Sequence, residues 1–413
     1  MQWLNRAMLR LPTENTLDRE EKIMAEWMDI LLSDILMDKG YIRGPFGSAL
    51  KRGDMKEDGI PVYEQQHAIY NSRDFRYYID EQKFNEMKRF QVKKDDLIIS
   101  CSGTVGKVSI IKDDDPKGII SQALLLLRAD TSKVLPLYLK YFFSSREGYN
   151  AIVSRSSGSV QVNIAKRSVI EQIPLKLPQI KTQRKIVGVL SSIDEKIEEN
   201  ERINNNLEQQ AQAIFKSWFI DFEPFSNRKP NDWSISTLGN VSIMGAGGDK
   251  PQNVSPIKTD LYEYPIYSNG LSDEGLYGFT DKPKISEESV TVSARGTIGF
   301  VCLRHIPYVP IVRLVTLIPK TEIISAKYLY LWLKQLHITG TGTTQQQLTV
   351  PDFQKTEILV PSQEIVTLFT ATVEPIFEKI WANQNENEKL SSLRDTLLPK
   401  LMSSELDVSK IDI

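Results

Sequence analysis

Apolar positions recur with a seven-residue period in two separate stretches of this chain. Each stretch carries two interleaved series, and the pattern within 186–218 returns 183 residues later within 369–401. Residues with this spacing line one face of a long helix and form the seam of a coiled coil. The helices are predicted at about 181–221 and 363–403, each roughly 60 Å long at ~1.5 Å per residue. The predicted seam residues are Ile186, Leu190, Ile193, Ile197, Asn200, Asn204, Leu207, Ile214, Phe369, Val373, Ile376, Ile380, Asn383, Asn387, Leu390 and Leu397.

Asparagine occupies matching seam positions in the two stretches, with Asn200 equivalent to Asn383 and Asn204 to Asn387. A buried asparagine costs stability but fixes helix register, because it must find a polar partner. The alternative is two solvent-facing helices with chance polar residues, and four asparagines in register favour the seam. Pro375 predicts a kink or a late helix start, because proline lacks the backbone N–H.

The rest of the chain is duplicated too. Each half begins near a tryptophan, and Gly103-Thr104-Val105-Gly106 recurs as Gly296-Thr297-Ile298-Gly299, where the glycines serve tight turns. A polar stretch follows in each half, at 154–161 and 339–346. Short apolar runs predict strands at 97–100, 107–111, 123–128, 174–178, 289–293, 300–303, 313–318 and 357–361, and helices at 135–144 and 326–336.

These patterns predict an α+β fold. Two globular mixed α/β modules are separated by a long antiparallel two-helix coiled coil, with an internal pseudo-twofold repeat. Paired modules on a helical spacer suit the recognition of two features at a fixed distance.

Composition and motif content argue against several classes of function. The 413 residues carry a net charge of −2, two cysteines and three histidines, without metal-ligand spacing, so no metal is expected. No signal peptide and no membrane-length apolar run occur, which predicts a cytoplasmic protein with no membrane partner. No phosphate-binding Gly-x-x-x-x-Gly-Lys-Ser/Thr motif and no Asn/Asp-Pro-Pro-aromatic methyltransferase motif is present, which predicts a non-catalytic chain. The charge cluster Asp194-Glu195-Lys196 is interpreted as an exposed helix face.

Several segments in fixed order resemble one family. They are the two Gly-x-x-Gly turns, the run Ile173–Pro178 leading to Gln183–Ile186, the segment Phe215–Phe222 and the close Leu397–Ser403. Each is loose alone, but their order and duplication are similar to the specificity subunit of type I restriction-modification systems. The resemblance covers nearly everything from Trp27 to about Ser404, and residues 1–26 depart from it.

The resemblance implies the domain organisation. The expected segments are a helical N-terminal extension at 1–26, target recognition domain 1 at 27–179, a central coiled-coil helix at 180–223, a linker and target recognition domain 2 at 224–361, a C-terminal coiled-coil helix at 362–404, and a tail at 405–413.

The resemblance also implies function. Each recognition domain would read one half of an asymmetric bipartite sequence in double-stranded DNA. The coiled coil would set the spacer and dock two modification (methyltransferase) subunits, with restriction (translocase/nuclease) subunits joining through the complex. Methylation and ATP-dependent cleavage would belong to those partners, which would supply S-adenosylmethionine, ATP and Mg²⁺, while this chain would need no cofactor.

Loop residues that suit base edges or phosphates are the candidate DNA contacts, because Arg pairs with guanine and Asn or Gln with adenine. Lys51, Arg52 and Lys107 are predicted to contact phosphate. The remaining candidates are Gln65, Gln66, Arg73, Arg76, Arg155, Ser157, Gln161, Ser268, Asn269, Arg295, Thr343, Gln345, Gln346 and Gln347.

Two other functions remain open from the sequence. One is a scaffold that displays two modules for protein or glycan binding, and neighbouring methyltransferase and translocase genes would argue against it. The other is an enzyme with its active site between the modules, which a methylation assay of the isolated chain would test.

Overall fold

A computed structural model describes residues 27–46, 49–156, 162–340 and 347–408. The predicted extension at 1–26 lies outside the described residues. The chain divides into two compact units. The first comprises the described residues up to Glu198 and those from Asn387 onward, and the second comprises Glu199–Glu386.

Nine strands occur in the described part of the first unit. The elements of this unit are β1 Trp27–Leu31, β2 Leu36–Arg43, β3 Ile60–Tyr63, α1 Gln65–Ile69, β4 Tyr78–Ile79, α2 Glu81–Glu86, β5 Leu97–Ser100, β6 Val108–Ile110, β7 Ile119–Ile120, β8 Leu124–Ala129, α3 Pro136–Ser144, α4 Arg146–Val153, α5 Arg167–Ile170 and β9 Pro174–Pro178. Strands β2, β8, β5 and β6 form an antiparallel sheet in that order, and β4, β3 and β7 form a smaller mixed sheet in which β3 and β7 are parallel. Strand β1 pairs with β9 as an antiparallel ribbon.

The described part of the second unit repeats this topology strand for strand. Its elements are β10 Ser234–Thr237, α7 Leu238–Val241, β11 Ser242–Ala246, β12 Tyr264–Tyr267, β13 Leu276–Thr280, β14 Ser289–Val292, β15 Val301–Arg304, β16 Val309–Pro310, β17 Val315–Pro319, α8 Ala326–Gln335, α9 Val350–Phe353 and β18 Glu357–Val360. The sheets have the orders β11-β17-β14-β15 and β13-β12-β16, and the ribbon pairs β10 with β18. Strand β12 pairs in parallel with β16, as β3 does with β7. Two mixed helix-and-strand units, as the sequence predicts, are therefore present.

The central strands form because their side chains are buried on both faces. All four residues of β5 and all four of β14 are buried, and most of them are β-branched or aliphatic, which favours strands. Helix starts follow local chemistry as well. The Ser145 side chain accepts a hydrogen bond from the Gly148 N–H at the start of α4, and the Ser325 side chain does so from Tyr328 at the start of α8.

The two long helices are α6, Ile180–Phe219, and α10, Gln363–Met402. The first and last residues of both helices lie within two positions of the predicted ones. The predicted late start at Pro375 is wrong, because α10 already begins at Gln363. Buried Val373 and Phe377 flank the proline, and their packing compensates for the single backbone hydrogen bond that proline removes.

The ends of these helices belong to the hydrophobic cores of the units. In the first unit, Ile186 and Leu190 of α6 share a buried cluster with Leu401 of α10 and with the central sheet. In the second unit, Phe219 packs against Phe369 with ring centroids 4.9 Å apart. The seven-residue pattern places Ile214 and Trp218 on the seam and does not predict the burial of their neighbours. In the structure, Phe215 and Phe219 are the fully buried residues.

The asparagines at the predicted seam positions form hydrogen bonds with residues of the other long helix. Within the second unit, Asn383 Nδ2 donates to Asn204 Oδ1 at 2.8 Å, and Asn200 Nδ2 donates to a Glu386 carboxylate oxygen at 2.9 Å. Within the first unit, Asn387 Nδ2 donates to the Ile197 carbonyl at 3.4 Å. A second contact in the first unit joins Asp194 to Arg394. In each unit the residue number on one helix falls as the number on the other rises, so the helix segments of that unit run antiparallel.

Replacing Asn383 by Leu is expected to destabilise the chain, because Asn383 is buried and the half-buried Asn204 oxygen then loses its donor. The cost of such an unsatisfied group is about 1–3 kcal/mol. Replacing both Asn204 and Asn383 by Leu should recover that stability or exceed it, since an apolar pair needs no partner. Thermal unfolding of both variants measures this, with the exposed neighbour change Asn205→Leu as control. A double variant less stable than Asn383→Leu would contradict the expectation.

The interpretation of Asp194 as part of an exposed charge cluster is wrong. Its carboxylate lies 3.1 Å from Lys140 Nζ and 3.2 Å from Arg394 Nη1, and it accepts a hydrogen bond from Tyr141 Oη at 2.8 Å. Burial alone would raise the pKa of Asp194, but Lys140, Tyr141 and Arg394 together hold it below its ordinary value. The sequence pattern missed this because Lys140 and Arg394 are distant along the chain.

This network predicts a pH-dependent stability. A carboxyl whose pKa is lowered in the folded state contributes stability above its unfolded pKa, and that contribution is lost as pH falls through the folded pKa. The native chain should therefore lose more unfolding free energy than Asp194→Asn when the pH is lowered from 6 to 3. Urea unfolding at a series of pH values measures the difference, and Asp29→Asn, at an exposed position, is the control. Equal slopes for the native chain and Asp194→Asn would contradict the assignment.

Candidate nucleic-acid interface

The first repeated turn is Ser102–Gly106, between β5 and β6. Gly103 has a φ of 68° and Gly106 a φ of 87°, in the left-handed region that favours glycine. A Cβ on Gly103 would meet open space, whereas one on Gly106 would lie 3.3 Å from Tyr149 and Val153 side-chain atoms. The two glycines thus have different roles, because Gly106 packs on α4 while Gly103 is exposed.

Side chains and backbone from other segments hold this first turn. The Ser102 N–H donates to Gln65 Oε1 at 3.0 Å, and Ser102 Oγ donates to Asn163 Oδ1 at 2.9 Å. The Gly103 N–H donates to the Val162 carbonyl at 2.8 Å. Val162 and Asn163, which directly follow the predicted polar stretch 154–161, are therefore attached to the turn.

The second repeated turn is Ala294–Gly299, between β14 and β15, and it is built in the same way. Gly296 and Gly299 have φ values of 68° and 85°. The Ala294 N–H donates to Asn269 Oδ1 at 2.6 Å, and Arg295 donates to Gln347 Oε1 at 2.9 Å through Nη2. The Leu348 N–H donates to the Ala294 carbonyl, so residues that directly follow the predicted polar stretch 339–346 are attached to this turn.

Three other candidates of the first unit are bonded elsewhere. Arg73 forms a bidentate ion pair with Asp115 at 2.7 and 2.8 Å, and it donates to the Ile110 carbonyl at 3.0 Å. Arg76 pairs with Glu64 at 2.8 Å, and its side chain is 61% exposed. Gln66 Nε2 donates to the Asp74 carbonyl at 3.0 Å. These contacts favour Arg73 as a structural group, since base recognition would require breaking a paired and partly buried guanidinium.

The remaining candidates differ in location. Lys51 and Arg52 are exposed at a short turn near residue 54, and no hydrogen bond in the described ranges joins them to the first repeated turn. Lys107 follows that turn directly, and its Nζ lies 5.1 Å from the centre of the Tyr149 ring. Arg155 Nη1 donates to the Ala151 carbonyl at the end of α4. The Ser268 N–H donates to the Gly275 carbonyl.

The structure thus brings Gln65 and Lys107 to the first turn, and Asn269, Arg295 and Gln347 to the second. Asn163 is not among the residues predicted from the sequence, because the predicted polar stretch ends at residue 161. The available signal was an amide side chain two residues after Gln161. The candidates Ser157, Gln161, Thr343, Gln345 and Gln346 lie outside the described residues.

The titratable groups that could serve as nucleophiles or metal ligands are not gathered at either turn. Burial raises the pKa of both Cys101 and Cys302 to about 12, so neither is a thiolate at neutral pH. His305 stacks on Trp381 at 4.1 Å, and burial together with nearby Lys327 and Arg304 lowers its pKa to about 4. In the part of the chain that the structure describes, no group of three or more His, Cys, Asp or Glu could hold a metal ion. Within the same ranges, no helix has the length and apolarity needed to cross a membrane.

Comparison with known proteins gives the class. The model of the "Type I restriction modification DNA specificity domain" family matches residues 43–209 and 230–391. The second matched range contains one four-stranded sheet, one three-stranded sheet and one repeated turn, and the first contains the equivalent elements except for most of β2. The class is therefore a DNA-specificity protein with two copies of one domain. The chain belongs to this family, and it is a type I restriction-modification specificity subunit. The resemblance noted from the sequence is confirmed.

Individual relatives agree. The chain is 26% identical to the type I restriction enzyme HindI specificity subunit of Haemophilus influenzae, over 76% of this chain and 87% of that protein. It is 27% identical to the MjaIX specificity subunit of Methanocaldococcus jannaschii, over 83% and 84% respectively. The crystal structure of a type I restriction-modification S subunit from M. genitalium aligns with a TM-score of 0.56 at 16% identity, covering 91% of this chain and 96% of that one. This last likeness concerns the fold alone.

Proposed function

We propose that each unit reads one half of an asymmetric bipartite target in double-stranded DNA. The observation that carries the proposal is the repetition of one exposed turn with different polar side chains around it. Lys107 follows the first turn and Arg295 lies in the second. Gln65 and Asn163 hold the first turn, and Asn269 and Gln347 hold the second. Since base edges are distinguished by their donor and acceptor patterns, different side chains on one scaffold favour different half-site sequences.

The recognition domains in this proposal are residues 27–179 and 224–361. The first carries 23 Lys and Arg against 19 Asp and Glu, so its DNA affinity depends on local basic groups rather than on a large net charge. Lys51 and Arg52 are exposed and suit phosphate contacts, which position a protein on DNA without specifying sequence.

Helices α6 and α10 form the spacer element in this proposal, as an antiparallel two-helix coiled coil that relates the two recognition domains by a pseudo-twofold. Two observations support it. Antiparallel contacts between the helices occur in each unit, Asp194 with Arg394 in the first and Asn204 with Asn383 in the second. The two copies of the seam also share a single offset of 183 residues. A fixed helix length then sets the number of unread base pairs between the half-sites.

Catalysis belongs to partner subunits in this proposal. Two modification subunits dock on the helices and use S-adenosylmethionine, and restriction subunits that use ATP and Mg²⁺ join through the complex. The exposed glutamates on α6 and α10, such as Glu195 and Glu378, offer an acidic surface for such docking. The complex acts on cytoplasmic DNA.

Genome-wide mapping of adenine methylation tests the proposal. Cells that carry the gene with its neighbouring methyltransferase gene should contain a split methylated motif, and cells that lack only this gene should not. Such a motif would give both half-sites and the spacer at once. A gene-dependent motif that is continuous would overturn the bipartite reading. The absence of any gene-dependent motif, with an active methyltransferase confirmed, would overturn the DNA role and favour a scaffold.

A further inference from the structure

Gln65 and Asn269 occupy equivalent places in the two units. Tyr63 ends β3 and pairs with β7, and Tyr267 ends β12 and pairs with β16 in the same parallel register. Gln65 and Asn269 each follow two residues after that tyrosine, in the segments Tyr63-Glu64-Gln65 and Tyr267-Ser268-Asn269. The two residues therefore leave equivalent strands at the same point.

Each of these amide side chains reaches a backbone N–H of the repeated turn. Gln65 Oε1 accepts from the Ser102 N–H at 3.0 Å, and Asn269 Oδ1 accepts from the Ala294 N–H at 2.6 Å. The two donor positions differ by one residue, because Ser100 corresponds to Ser293, Ser102 lies two residues after Ser100, and Ala294 lies one residue after Ser293. The glutamine side chain is one methylene longer than asparagine, so both can make the contact from the same strand end.

The contacts join parts of each unit that belong to different sheets. Gln65 and Asn269 follow the three-stranded sheets, whereas the turns connect strands of the four-stranded sheets. Asn269 also donates from Nδ2 to the Val312 carbonyl at 2.6 Å. Its oxygen and its nitrogen are thus both used inside the protein, which makes it a poor reader of base edges.

The turns themselves need such support. Gly103 and Gly296 are exposed, have positive φ values and have nothing within 4 Å of a built Cβ. Side-chain packing therefore does not fix these two glycines, and each turn is held by hydrogen bonds to the residues beside its first glycine. On the other side of the turns, Asn163 accepts from Ser102 and Gln347 accepts from Arg295.

We propose that Gln65 and Asn269 are positioning residues for target reading. Each fixes its repeated turn in the conformation that discriminates one DNA half-site. Neither acts through a base contact of its own. This inference rests on the proposed function, because it assigns the repeated turns to half-site recognition.

The main test uses the complete complex of this chain with its modification subunits and double-stranded oligonucleotides. One probe carries the methylated motif, and the others carry a single changed base pair in one half-site. Gln65→Met keeps the side-chain length but removes the acceptor. It should reduce discrimination at one half-site by about tenfold, the scale of one lost hydrogen bond, and leave discrimination at the other half-site intact.

Conservative variants separate positioning from general damage. Gln65→Glu keeps an oxygen that accepts from Ser102, so it should retain discrimination even though its negative charge weakens binding to every probe. Gln82→Met, at an exposed glutamine of α2, is the matched control and should bind as the native chain does. Asn269→Leu should affect only the opposite half-site, with the exposed Asn253→Leu as its control. The inference is overturned if Gln65→Met discriminates as well as the native chain, or if Gln65→Glu fails in the same way as Gln65→Met.

Hydrogen exchange of the full chain without DNA tests whether Gln65 fixes the first turn, independently of the function. Peptides that cover Ser102–Gly106 should exchange faster in Gln65→Met than in the native chain and in Gln82→Met. Unchanged exchange would show that Gln65 does not fix the turn. If exchange accelerates but the native complex discriminates at neither half-site, then target reading by these turns is wrong, and the proposal falls with it.

Discussion

Phe369→Ala is expected to unfold the second unit at a much lower temperature than the native chain. Phe369 is fully buried, and its ring lies 4.9 Å from Phe219 and 5.8 Å from both Phe215 and Trp218. Truncation of such a ring removes apolar burial and leaves a cavity, which together cost about 3–5 kcal/mol. For a unit of this size the loss corresponds to a fall in Tm of roughly 10 °C.

The neighbouring residue provides a matched control for that prediction. Leu368 lies on the same helix but is 55% exposed, so Leu368→Ala should change Tm by only a degree or two. Calorimetry of the full chain measures both variants. Equal Tm values for the native chain and Phe369→Ala would show that the end of α10 does not belong to the core of the second unit.

The elements that the sequence predicted well are those with a strong local signal. The ends of α6 and α10 follow from a seven-residue period sustained over more than thirty residues. Strands β5 and β14 follow from short runs rich in aliphatic and β-branched residues that are bounded by a glycine turn. In these segments the local pattern and the tertiary packing require the same residues.

The three-stranded sheets lacked such a signal. Strand β12 contains Pro265, and its partner β16 has only two residues. Their pairing is parallel and joins residues more than 40 positions apart, such as Ile266 and Val309. A short strand with a proline matches no period, so only the folded chain reveals it.

The candidate site shows the same limit. Residue type was enough to single out Gln65 and Asn269, but it suggested base contacts, whereas the structure shows hydrogen bonds to turns that are 37 and 25 residues away. Arg73 was selected for its guanidinium, which is paired with Asp115 at a separation of 42 residues. A side chain's partner depends on tertiary distance, which a single sequence does not contain.

Seven residues removed from each long helix are expected to shorten the spacer of the methylated motif by about three base pairs. Seven helical residues span roughly 10 Å, and DNA rises ~3.4 Å per base pair. Deletion of Ile197–Ile203 with Gln384–Leu390 suits this purpose, because it keeps the seam period and retains the pairs Asn204–Asn383 and Asp194–Arg394. Both half-site sequences should be unchanged, since the deleted residues lie outside the repeated turns.

Affinity should nevertheless fall in the shortened chain. Three base pairs turn a duplex by roughly 100°, given ~10.5 base pairs per turn, whereas one heptad turns a straight helix by only ~20°. The DNA must therefore twist, at an energetic cost, to present both half-sites. Methylation of a library with random spacers measures the preferred length, and Asn205→Ala, which keeps both helices at full length, should leave it unchanged. An unaltered spacer in the shortened chain would rule out the helices as the element that sets the distance, while a changed half-site would show that the deletion had disturbed a recognition domain.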